Sequence, residues 1–136
     1  MTFEKLRKSL GNRNLSNDRY HLNRFCNKIN TNVIGGASKL LKYFIRNYSP
    51  ELIISYADRR YSNGNLYEKL GFERIGESRP NYWYIKGQKR HYRFKFRKDI
   101  LIKEGFDSNL TEREIMLERG YLRIYDCGNI KYEYVK

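Results

Sequence analysis

"NTNVIGGASKLLKYFIRNYSPELIISYA", residues 30–57, is the stretch whose reading decides the fold. Its right end, ELIISYA at 51–57, is a short apolar run with two isoleucines, the pattern of a strand covered on both faces. To its left, Leu40, Leu41, Phe44, Ile45 and Tyr48 recur at i, i+1, i+4, i+5 and i+8, one apolar stripe along a helix. Ser38 is a fair N-cap for that helix, and Pro50 lies just past its end. Upstream, RYHLNRFCNKI at 19–29 places Tyr20, Leu22 and Cys26 on alternating positions and reads as a strand. Strand, helix and strand in so short a span predict a βαβ unit, with parallel strands and a right-handed crossover. Gly35-Gly36 occupies the corner between the first strand and the helix. Two readings stay open: a cradle for phosphate, since glycine lets helix N-terminal amides approach an anion, or a tight turn and nothing more.

Working outward, residues 2–9 form an opening strand and 11–18 a polar loop. DRRYSNGNLYEKLGF leads through a loop into a short helix from Ser62 to Leu70 closed by Gly71, and FERIGES at 72–78 is the next strand. Pro80-Asn81 is a turn. YWYIK and HYRFKFRK (91–98) read as a hairpin across Gly87. Thr111 and Glu114 have capping-box spacing for a helix that stops at Gly120. LRIYDCGNIKYEYV then reads as a second hairpin around Gly128-Asn129. The elements define an α/β protein of the α+β kind: a mixed, mostly antiparallel sheet with flanking helices and a central βαβ unit, one domain over residues 1–136.

The chain has 28 Lys/Arg against 15 Asp/Glu, a net charge of +13, and 13 Tyr with 7 Phe. A field of that sign recruits polyanions, and aromatics among cations suit base stacking, though they are equally at home in strands. If 91–97 is a strand, Tyr92, Phe94 and Phe96 face the core while His91, Arg93, Lys95 and Arg97 form a charged stripe. With Lys89 and Arg90, and with Arg59, Arg60 and Arg79 from loops, that stripe is a candidate nucleic-acid interface; the plainer alternative is an edge strand that uses cations against aggregation. No apolar run reaches the ~18 residues of a membrane span, and the N-terminus has no apolar signal core, so a cytoplasmic setting away from membranes is expected. Cys26, Cys127, His21 and His91 lack zinc-ligand spacing, so no metal is expected and both thiols are read as buried small hydrophobes.

Two motifs stand at the proper separation: Asn32-Val33-Ile34-Gly35-Gly36-Ala37, and Leu66-Tyr67-Glu68-Lys69-Leu70-Gly71-Phe72. Together they resemble the pyrophosphate loop and the later helix motif of the GNAT acyltransferase superfamily. That resemblance implies acetyl-CoA or another acyl-CoA bound by Asn32, Val33, Ile34, Gly35, Gly36, Ala37, Ser38 and Lys39. It also implies an oxyanion held by amides of the RFCNKI strand, and Tyr67 as the acid that protonates the departing thiolate. Asp58, ending the buried strand, is a candidate base or a cap paired with its arginine neighbours. Asn32 departs from the family's Gln or Arg, and two strands expected ahead of residue 2 are missing. Over nearly the whole chain, MTFEKLRKSLGN, ISYADRRYSNGNLYEKLGF, PNYWY and RGYLRIYDCGNIKYE are similar to the C-terminal GNAT-like domain of phage homing-endonuclease-type proteins. This implies a phage or mobile-element setting with DNA as partner, and leaves open an upstream nuclease domain or a homo-oligomer. The expected function is a nucleic-acid-associated, acyl-CoA-dependent transferase acting on an amine. The alternative is a DNA-binding module that has lost its cofactor.

Overall fold

A computed structural model describes residues 1–7 and 17–135. The apolar run at 51–57 forms β3 (Leu52–Asp58), where Ile53, Ile54, Ser55 and Ala57 are all buried. β2 (Arg19–Arg24) lies parallel to it, with Arg19, Tyr20 and His21 opposite Leu52, Ile53 and Ile54. The crossover is α1 (Gly36–Tyr48), which buries Leu41 and Phe44. Phe44 stacks on Phe3 at 3.7 Å and meets Tyr20 edge-on at 5.0 Å. The helix begins earlier than Ser38: Gly35, at φ 72°, is the cap residue, a left-handed conformation that glycine adopts without strain.

β1 (Thr2–Lys5) pairs antiparallel with β2; positions 8–9 of the expected first strand and 11–16 of the polar loop lie outside the described residues. β8 (Asn129–Val135) pairs antiparallel with β3 along seven positions, and β4 (Glu73–Glu77) edges β8, so the sheet order is β1-β2-β3-β8-β4. Between β3 and β4, α2 (Asn65–Lys69) is shorter than the Ser62–Leu70 helix expected, and Gly71 follows at φ 84°. These elements make one compact unit, Met1–Ser78 with Gly128–Lys136, around Tyr20, Leu22, Ile53, Phe72, Ile130 and Tyr132.

Arg79–Cys127 make a second unit. Its sheet, in the order β6-β5-β7, contains β5 (Tyr82–Lys86), β6 (Lys89–Tyr92) and β7 (Leu122–Tyr125). α3 (Lys98–Lys103) and α4 (Glu112–Glu118) supply Leu101, Ile115 and Met116 to a core completed by Tyr84. The chain is thus mixed α+β, with two mostly antiparallel sheets among the described residues. The sequence reads as one domain; its described residues gather into two units, each with its own core.

Four expectations are corrected. The hairpin around Gly128-Asn129 does not form: β7 pairs with β5, whereas β8 pairs with β3 and β4 because Ile130 and Tyr132 belong to the first core. Residues 91–97 are not a strand. β6 ends at Tyr92, opposite Trp83 near the start of β5, and Arg93–Phe96 turn into a 3₁₀ helix that carries Phe96 inward to Tyr84 at 5.5 Å. The RFCNKI segment is not strand throughout: Arg24 is the last residue of β2, and residues 25–29 follow it outside the ladder. For the same reason Cys26 has no inward-facing strand position, and both Cys26 and Cys127 are exposed.

Candidate functional site

Beyond the carboxyl end of β2, where ligands gather in α/β units, a cleft of about 460 Å³ opens at the start of α1. The strands part there: Ser55, fully buried, donates its hydroxyl to the Leu22 carbonyl at 2.9 Å, past the last paired position of β2 and β3. One wall consists of Asn32, Val33, Ile34, Gly35, Ala37 and Ser38, the other of Leu66, Lys69 and Leu70, with Phe25 and Asn27 at the end. The two motifs that carry the sequence resemblance therefore face each other across one cavity.

Gly36 donates its amide to the Val33 carbonyl and Lys39 to the Gly35 carbonyl, each at 3.0 Å. Ala37 and Ser38 lie in the first turn, where a helix has no acceptor for its own amides, and no acidic residue sits in that turn. The positive end of the helix dipole and Lys69 give the cleft anion-binding character. Ile34, 92% exposed, Leu66 and Leu70 add apolar surface. The corner itself also has a use for its glycines. Gly35 needs its positive φ, and a Cβ on Gly36 would approach Val33 Cγ1 to 3.0 Å. Gly36 and Lys39 do not themselves line the cavity.

Sequence reasoning singled out Tyr67 and overlooked Lys69. On α2, Leu66, Lys69 and Leu70 share one face through i, i+3, i+4 spacing, and Tyr67 is turned away from it. Its ring stacks on Tyr132 at 5.0 Å and meets Phe72 at 5.7 Å; its hydroxyl is 3.5 Å from the Tyr56 carbonyl. Asp58, at the end of β3, accepts from the Arg60 guanidinium at 2.5–3.1 Å and from the Arg60 amide at 2.9 Å. These bonds hold its carboxyl below the ordinary 3.8. A carboxylate so engaged closes a turn well, whereas a general base works best with a pKa near the operating pH.

The cations fall into two groups. In the first unit, Arg59 pairs with Glu77 at 2.7 Å and Arg60 with Asp58, beside a shallow depression that also takes in Tyr61 and Asn63. In the second, Arg90 lies over Trp83 at 5.2 Å, Arg93 over Tyr82 at 5.0 Å and Phe94 at 5.1 Å, and Arg97 beside Asp99 at 3.3 Å. Arg79, Lys89 and Lys95 are exposed there. Because the strand stops at Tyr92, these residues do not form the alternating stripe expected, and His91 turns inward against Phe96 and Tyr121.

A polar cluster in the second unit had no local signal in the sequence. Glu112 Oε1 accepts from the Tyr82 hydroxyl at 2.8 Å, the Tyr84 hydroxyl at 2.7 Å and Arg123 Nη2 at 3.3 Å. Burial, then the Glu112 carboxylate, pushes the Tyr82 phenol up, and burial does the same at Tyr84. The members of the cluster come from three elements, β5, β7 and α4, and it ties the two strands to the helix. Among the described residues no group of three His, Cys, Asp or Glu is placed to hold a metal, and no helix is long and apolar enough to cross a membrane.

No protein-family model matches the chain. A search of curated proteins returns no match.

Proposed function

We propose that the first unit is a GNAT-like domain that binds the pyrophosphate of an acyl-CoA in the cleft at the start of α1. In this reading an amine, associated with nucleic acid recruited by the cationic surface, is the acyl acceptor. One observation carries it: the VIGGAS corner and the LYEKLGF helix, distant in sequence, line a single cavity with helix amides on one wall and Lys69 on the other. Ala37 and Ser38 amides would receive phosphate oxygens, Lys69 would neutralise a second charge, and Ile34, Leu66 and Leu70 would cover apolar parts of the cofactor. Tyr67 is the acid the resemblance names. Its ring stacks on Tyr132 on another face of α2, so the reading requires Tyr67 to leave that stack and reach the cleft face for proton transfer.

The experiment is a calorimetric titration of acetyl-CoA. Saturable binding is expected, and it should be lost in Gly36→Glu and in Ser38→Glu, both of which put a carboxylate at the amide end of the helix. The Ser38 variant does not crowd Val33, so it separates charge from packing. No binding at millimolar cofactor would overturn the transferase reading.

A second reading is favoured by the engagement of Asp58 with Arg60 and of Tyr67 with Tyr132. It takes the domain as a nucleic-acid-binding module that keeps the fold without the chemistry. Binding of DNA with a steep salt dependence, in the absence of any acetyl-CoA binding, would select it.

A further inference from the structure

The sheet of the second unit has one packed face and one more open face, on which Trp83 and Ile85 are half-buried and their neighbours on the flanking strands exposed. Its register puts Trp83 opposite Tyr92 and Ile124, and Ile85 opposite Arg90 and Leu122. In antiparallel pairs such partners share a face, here the one opposite buried Tyr84. Tyr92 is 53% exposed and Leu122 64%. Phe94, also exposed, extends the aromatic surface from Tyr92, ring centroids 5.1 Å apart. Arg90 spreads its guanidinium over Trp83. None of these positions is acidic, and from Lys86 to Lys98 the chain holds seven Lys/Arg with no Asp or Glu ahead of Asp99.

The occupant must match both halves of this surface. A neutral apolar partner would leave the cations unpaired. A duplex offers phosphates but keeps its bases inside the stack, away from Trp83 and Tyr92. A single strand presents a regular anionic backbone and open base faces together, and aromatic rings flanked by cations are what such a strand binds. We propose that the more open face of the β6-β5-β7 sheet binds single-stranded nucleic acid, with bases stacked on Trp83, Tyr92 and Phe94 and phosphates held by Arg90 and its cationic neighbours. The inference rests on the nucleic-acid association proposed above and specifies the form of the partner. It does not depend on acyl-CoA binding in the first unit.

Trp83 is the only tryptophan in the chain, so its emission reports on this face alone. The test titrates the full chain with a single-stranded dT oligomer of about 12 nucleotides and with a matched duplex. Affinity is followed independently by anisotropy of labelled strands. Saturable quenching of Trp83 by the single strand is expected, with duplex about tenfold weaker. Tyr92→Ser, on an exposed side chain that leaves the core intact, should weaken the single strand about tenfold and the duplex by no more than about twofold. Phe94→Ser should act in the same direction. Equal binding of both forms with unchanged Trp83 emission would overturn the stacking face while leaving nucleic-acid association standing. Binding of neither form would overturn both. Emission that shifts with protein concentration, and not with oligomer, would assign the face to a second copy of the chain and equally overturn the proposal.

Discussion

Gly64 is tightly constrained from two sides. It precedes α2 at φ 86°, and a Cβ there would stand 1.9 Å from the Tyr132 hydroxyl oxygen. Tyr132 is fully buried, stacks on Tyr67, and donates to Glu68 Oε1 at 3.1 Å. Gly64→Ala must therefore both strain the backbone and displace a core ring. A loss of at least ~3 kcal/mol is expected in urea unfolding, as a lowered midpoint at unchanged slope. A loss below ~1 kcal/mol would mean that Tyr132 does not occupy this position. The LYEKLGF motif identifies Tyr67 from sequence, but its main partner is invisible there, because Tyr132 arrives from the other end of the chain. Lys69 was legible in principle: helical spacing groups it with Leu66 and Leu70, apart from Tyr67.

At the scale of elements, the capping box of α4 was readable from four residues and forms as expected. Thr111 Oγ1 accepts the Glu114 amide at 3.3 Å, and Glu114 Oε2 accepts the Thr111 amide at 2.7 Å. That backbone bond, with the Thr111 side chain, holds the Glu114 carboxyl below its ordinary 4.5. The folded pKa is thus depressed. Its stabilisation is complete above pH 4.5 and is lost as pH falls through the lower folded value. Glu114→Gln should flatten this acid limb of the stability–pH curve of the second unit, and Thr111→Ala should cost about 1 kcal/mol at neutral pH. An acid limb identical in wild type and Glu114→Gln would refute the assignment. β6 shows the opposite case. Alternation predicted a strand through Arg97, but a strand lasts only while its partner does, and β5 begins at Tyr82.

At the scale of the molecule, the second unit is one continuous excursion. The chain leaves the first unit at Ser78 and returns at Gly128, and the Ser78 amide donates to the Asn129 carbonyl at 2.8 Å. Glu77 and Ile130 are already cross-strand partners. Replacing Arg79–Cys127 with an Asn-Gly turn should therefore close β4 and β8 into a hairpin and leave the first unit folded, with a cooperative melt and strand-rich circular dichroism. A non-cooperative melt would show that the first core depends on the excised segment.

Sequence by itself determined the parts whose causes lie within a few residues: the stripe of α1, the buried run of β3 and the Thr111–Glu114 cap. It also determined the βαβ unit, because a parallel strand pair needs a crossover and α1 fits between. Tertiary structure alone decided that β7 and β8, adjacent along the chain, enter different sheets. It alone decided which face of α2 meets the core and which the cleft, and left Tyr92, Phe94 and Leu122 exposed. The physical reason is the range of the forces involved. Caps and periodicity act across one or two helical turns, whereas strand partners and the choice of packed face are settled by burial against residues brought from far along the chain.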